Sequence, residues 1–123
     1  MIDVKEVEYY HNILIEQFGG SKGIRDMAGL QAALARPYMT FDNQDLYPTA
    51  VEKATAIFES LIINHPFIDG NKRIAYALLR IILAEAGLTI NASQEDKYEM
   101  AISASMGTIK FDQIKDWVAS KII

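Results

Sequence analysis

At 123 residues, 50% hydrophobic and 23% charged, the chain is long enough to bury a core, and one domain over residues 1–123 is expected. A net charge of −4 provides no basic face for counterion release, which argues against direct nucleic-acid binding, and the lack of cysteine excludes disulfides and thiolate chemistry. Met1 to Glu6 carry no signal-peptide pattern and no apolar run is long enough for a membrane span, so a cytoplasmic location is expected.

Asp3 followed by Glu6 reads as a capping box opening a first helix. Val4, Val7, Tyr10, His11, Leu14, Ile15 and Phe18 recur at helical spacing until Gly19-Gly20 stops the run. His11 has no partner motif and reads as packing or surface, and the aromatic residues of this helix read as core. Asp26 is a candidate cap for a second helix, Met27 to Arg36, which ends before Pro37. Pro37 to Pro48 carries Tyr38, Met39, Phe41, Leu46 and Tyr47 without a helical period. An ordered loop or short hairpin is expected, apolar enough to dock a partner. Thr49 and Glu52 cap a third helix, about Ala50 to Asn64, which Pro66 blocks.

The next stretch, His65-Pro66-Phe67-Ile68-Asp69-Gly70-Asn71-Lys72-Arg73, concentrates polar chemistry in nine residues. The run that follows, Ile74 to Ala86, closed by Gly87, is rich in helix formers and apolar nearly all round, which predicts a buried central helix. Leu88 to Asn91 reads as an extended connector. Ser93 caps a fifth helix through about Ser105, and a last helix covers roughly Phe111 to Lys121. Six helices with short connections make a compact all-α domain with an ordered loop between the second and third helices.

The polar cluster therefore feeds a helix N-terminus, whose unpaired N–H groups and dipole suit a phosphate. Gly70 permits close backbone approach, and the amides from Gly70 to Arg73 can form an anion nest. Asn71 can donate to a phosphate oxygen, Lys72 and Arg73 add cationic donors, and Asp69 can hold magnesium together with the substrate's phosphates. His65 is the natural base for a hydroxyl nucleophile. Taken singly, each residue has a plainer reading: a structural histidine, a helix-capping aspartate, two solvated cations. Cations in a helix's first turn oppose its dipole, however, and an anion would compensate. Phe67 and Ile68 are expected to anchor the loop in the core, and Arg80 to pair with a carboxylate such as Glu52 or Glu59 rather than reach the site.

The nine-residue string resembles the signature of the Fic/Doc family, His-x-Phe-x-Asp/Glu-Gly-Asn-Gly/Lys-Arg, with His65, Phe67, Asp69, Gly70, Asn71, Lys72 and Arg73 all matching. Gly19-Gly20, Gly23-Ile24-Arg25-Asp26 and Leu30-Gln31-Ala32-Ala33-Leu34 are similar to the N-terminal half of the family's short Doc branch. The resemblance implies a helical core that transfers part of a nucleotide to a protein hydroxyl. His65 would be the catalytic base, Asp69 the magnesium ligand, and Gly70, Asn71, Lys72 and Arg73 the ATP phosphate site. Tyr38, Met39, Thr40 and Phe41 fall where family members have a flap that aligns the target.

Lys72 stands where AMP-transferring members carry a second glycine, and Tyr76 where they carry a second arginine. Both features resemble the Doc branch, which implies a toxin that moves the γ-phosphate of ATP to a threonine of elongation factor Tu. None of the glutamates is followed by Gly or Asn, as the family's self-inhibiting motif requires, so an antitoxin is expected to supply the inhibitory segment in trans. The alternatives are AMP transfer to a protein hydroxyl and a catalytically inactive binding module.

Overall fold

The computed structural model describes residues 1–123. Six α-helices run in the order α1 (Val4–Phe18), α2 (Met27–Ala35), α3 (Ala50–Asn64), α4 (Asn71–Glu85), α5 (Gln94–Ser105) and α6 (Phe111–Lys121). A two-stranded hairpin, β1 (Thr40–Phe41) and β2 (Gln44–Asp45), lies between α2 and α3. The helix starts follow the local chemistry. The Asp3 and Glu6 side chains complete a reciprocal capping box. Asp26 accepts from the Gly29 amide, Thr49 from Glu52 and Ser93 from Asp96. Leu88 to Asn91 is extended as expected: Ile90 bridges Ile122, and the Asn91 amide donates to the Lys121 carbonyl.

The central helix is α3, not α4. Every residue from Ala54 to Ile62 is buried, and α3 packs against α2, α4, α5 and α6. Its polar letters are accommodated inside. The Thr55 hydroxyl donates to the Val51 carbonyl at 2.7 Å, and Glu59 pairs with Arg36. Helix α4 buries one stripe, Ile74, Ala75, Leu78, Leu79, Ile82 and Leu83, against α3 and leaves Arg73, Arg80 and Glu85 exposed. Phe58, Ile57, Leu61, Ile74, Leu78, Leu79 and Ile114 are fully buried, each contributing about 1.5–3 kcal/mol by removal from water. The first helix departs from expectation in its aromatics, Tyr9 and Phe18 being exposed, while His11 takes the packing reading of the two the sequence allowed. Arg80 makes no ion pair: Glu59 pairs with Arg36, and the Glu52 carboxylate accepts from the Thr49 hydroxyl.

The hairpin turns on Asp42 and Asn43, both with positive φ, which matches the twist of a tight antiparallel pair. Thr40 and Phe41 lie on its exposed strand. Met39 precedes it, and Tyr38 belongs to the 3-10 turn (Arg36–Tyr38) at its root. Burial, reinforced by the Glu85 charge, pushes the Tyr38 hydroxyl above its ordinary range.

Arg36 pins this root. Its guanidinium donates to the Glu59 carboxylate at 2.9 Å, the Tyr47 hydroxyl at 2.9 Å and the Ser60 hydroxyl at 3.0 Å. It also lies over the rings of Tyr47 and Phe111. Burial alone would lower the guanidinium's proton affinity, but the bonds to Tyr47 and Glu59 outweigh it and raise it. Arg36→Ala leaves Glu59 without a counterion in a nearly buried position. A loss of about 2–3 kcal/mol is expected, less than for a fully enclosed pair because the guanidinium keeps some solvent contact. Urea titration checks this, with Arg36→Lys intermediate because lysine lacks the planar fork.

Candidate active site

Helix α3 stops at Asn64 because Pro66 cannot continue it. His65 takes the left-handed conformation, φ 47° and ψ 55°, an uncommon one for a residue with a Cβ. Arg25 reaches the carbonyls this helix end leaves unpaired. Its Nε and Nη2 donate to the His65 oxygen at 2.9 and 2.5 Å, and Nη2 also donates to the Asn64 oxygen at 3.0 Å. The imidazole itself is exposed and makes no protein hydrogen bond.

Residues 23 to 26 run beside the loop and lock it. The Pro66 carbonyl accepts from the Arg25 and Asp26 amides at 2.7 and 3.0 Å, the Ile68 amide donates to the Gly23 carbonyl at 3.0 Å, and Ile24 bridges Phe67. Phe67 is buried as expected. Ile68 is exposed and covers Gly23, where a Cβ would meet Ile68 Cδ1 at 2.8 Å.

The Asn71 side chain does not face the ligand side. It is buried and clasps the loop: Oδ1 accepts from the Phe67 amide at 2.9 Å and Nδ2 donates to the Phe67 carbonyl at 3.0 Å. Only its main-chain amide remains for an anion. Asp69 is exposed with its carboxylate held from two sides. Oδ1 accepts from the Gly70 amide at 2.8 Å, and Oδ2 from the Ser21 amide at 3.2 Å. Gly20 is needed here, because a Cβ on its positive-φ backbone would sit 2.7 Å from Asp69 Oδ2.

Gly70, with φ 73°, precedes α4 and gives it no side-chain cap. The Gly70 amide is taken by Asp69, but those of Asn71, Lys72 and Arg73 donate to no protein acceptor. Three aligned donors at a positive dipole end therefore face outward, accompanied by two cationic side chains.

These residues form the floor of an open cleft of about 580 Å³. Asp69, Gly70, Asn71, Lys72, Arg73 and Tyr76 come from the loop and α4, Phe18 from α1, and Gln94, Lys97, Tyr98 and Ala101 from α5. His65 and the hairpin are not among its walls. Arg73 stacks over Phe18 at 4.7 Å and Lys97 over Tyr76 at 5.3 Å, so the cleft carries three cations against the single carboxylate of Asp69. The Tyr76 oxygen is buried without a partner. Its burial pushes the hydroxyl above its ordinary range, with Arg80 drawing it partly back, so it is a neutral donor at physiological pH.

The α5 wall was missed in the sequence. A signal was present: Gln94, Lys97, Tyr98 and Ala101 occupy positions i, i+3, i+4 and i+7, one helical stripe carrying polar groups. No cluster of three or more acidic or imidazole groups is available to cage a metal. One anchored carboxylate is compatible with a magnesium ion that completes its coordination with phosphate and water oxygens, the free amides being suited to the phosphates themselves.

A model of the Fic/DOC family matches residues 1–83. Over 75 residues, 61% of this chain, the sequence is 43% identical to Toxin Doc of Mycolicibacterium smegmatis (strain ATCC 700084 / mc(2)155), and the match covers 58% of that protein's length. The family match takes in His65 to Arg73 and the loop that braces them, and ends before α5.

Proposed function

The chain belongs to the Fic/DOC family, and from that premise we propose that it is a toxin transferring the γ-phosphate of ATP to a serine or threonine hydroxyl of a target protein. The observation that carries this reading is the start of α4: three main-chain donors without protein partners, flanked by Lys72 and Arg73, on the floor of an open cleft. Phosphoryl transfer demands positioning and charge neutralisation above all, and donors fixed in advance supply both without reorganising.

In this mechanism the amides of Asn71, Lys72 and Arg73 and the two cationic side chains receive the phosphates. Asp69 would hold magnesium, which supplies further neutralisation of the phosphate oxygens. Lys97 extends the donor set along the α5 side. His65 takes the proton from the target hydroxyl. That oxygen bonds to the γ-phosphorus as the bond to the bridging oxygen breaks, and ADP leaves. The exposed Thr40–Phe41 strand, with Tyr38 and Met39 at its root, offers an edge on which the target segment aligns. The family resemblance extends the reading to elongation factor Tu as target and to an antitoxin whose segment blocks the site.

Lys72, in place of a second glycine, favours γ-phosphate transfer over AMP transfer, because its long side chain crowds the space a transferred α-phosphate needs. The test uses ATP labelled at the γ- or the α-phosphate with elongation factor Tu and a bacterial lysate. Label arriving from the γ position, with one phosphate gained by intact mass, is expected. Label arriving from the α position alone would replace the kinase reading with AMP transfer.

A further inference from the structure

His11 is the most enclosed polar side chain near the loop, 1% exposed and 58 residues distant in sequence from the carbonyl it touches. Its ring stacks on Phe67 with centroids 3.9 Å apart and planes 9° from parallel. Nε2 lies 2.7 Å from the Asp69 carbonyl oxygen, and Nδ1 has no partner. A carbonyl oxygen only accepts, so Nε2 carries the proton and donates. A side chain serving only to fill this space would be better apolar, since Phe could stack equally well without burying an unpaired nitrogen.

We propose that His11 is a positioning residue that fixes the direction of the Asp69–Gly70 peptide. In a trans peptide the carbonyl and the following N–H point opposite ways. With the Asp69 oxygen drawn inward to His11, the Gly70 N–H is turned to the Asp69 carboxylate, where it donates at 2.8 Å. Gly70, free to change φ and ψ, gives this peptide little intrinsic resistance to flipping. A flip would set a carbonyl oxygen against Asp69 Oδ1 and beside the free amides of α4. The carboxylate would lose its rest, and a site for phosphate would gain a repelling lone pair. His11 thus acts through the peptide rather than on substrate. Gly70 also leaves room for the latch: a Cβ there would lie 3.4 Å from Nε2 and 3.2 Å from Ile15 Cδ1.

The kinetic arm of the test rests on the phosphate-transfer reading, and the spectroscopic arm does not. Three full-length variants are compared: His11→Phe keeps the ring without a donor, His11→Gln places an amide nitrogen as many bonds from Cα as Nε2, and His11→Asn places it one bond short. In His11→Phe the Gly70 amide proton shift is expected to move and kcat to fall at least tenfold, with a smaller change in KM. Gln returns both toward wild type and Asn does not. If the Phe variant fails to fold, the Gln–Asn pair makes the same comparison. Imidazole 15N spectra of the wild type should show Nε2 protonated and Nδ1 bare. The opposite tautomer, or equal Gly70 shifts in all variants, overturns the proposal. A wild type without transfer activity, whose Gly70 shift still follows the Phe, Gln and Asn series, would reject the transfer reading and leave the positioning role standing.

Discussion

His65→Ala is expected to lower the rate of phosphate transfer by about 10²–10⁴-fold, the usual contribution of a positioned base, while the protein melts as wild type does. The two halves of this expectation come from different parts of the residue. The His65 main chain is structural: its carbonyl is held by Arg25 and its amide donates to the Leu61 carbonyl. Alanine preserves both bonds and suffers a similar left-handed backbone. The imidazole is exposed and makes no protein hydrogen bond, so removing it takes little from the fold. Single-turnover transfer of labelled phosphate and a thermal melt on the same preparation measure both. Undiminished transfer would remove His65 from the mechanism. Lost activity accompanied by lost structure would assign it to the fold instead.

Asn71→Ala should do the opposite and act first on stability. Its side chain satisfies both main-chain groups of Phe67 inside the protein, and alanine strands a buried donor and a buried acceptor together. A loss of about 2–4 kcal/mol is expected, a drop in Tm of roughly 10 °C for a domain of this size. Transfer falls as well, because the loop that carries Asp69 and Gly70 is no longer closed. Asn71→Asp keeps the acceptor for the Phe67 amide but loses the donor, so it should fall between wild type and Ala in urea titration. Unchanged stability in Asn71→Ala, with weakened ATP binding, would make this side chain a phosphate ligand, as the motif alone suggests.

The two residues mark how far the sequence could be read. Caps are local, and Asp3, Asp26, Thr49 and Ser93 announce their helices within four residues of chain. The nine-residue string is local too, so its place at a loop–helix junction was legible. Depth was not. Helix α4 looked central because Ala77 and Ala84 count as apolar wherever they lie. Glu59 and Ser60 count as polar in α3, although Arg36 makes burial possible for both. His11, Gly20, Ser21 and Arg25 on one side, and Lys97 and Tyr98 on the other, reach the site only through tertiary packing. Their neighbours in sequence say nothing of Asp69. The direction of the Asn71 side chain was hidden for the same reason, since an amide serves a phosphate or a peptide equally well.

Apart from the Asn71 clasp, the braces on the loop reach back to residues 11 to 26. On a ribosome, those residues emerge long before the segment they must hold, so a growing chain has no fully braced loop until α4 has been made and α1 has docked on it. The same dependence holds in the finished molecule. Undocking of α1 would free the Asp69 carbonyl from His11, whereas Ser21 and Arg25 hold the loop from the segment that leads into α2.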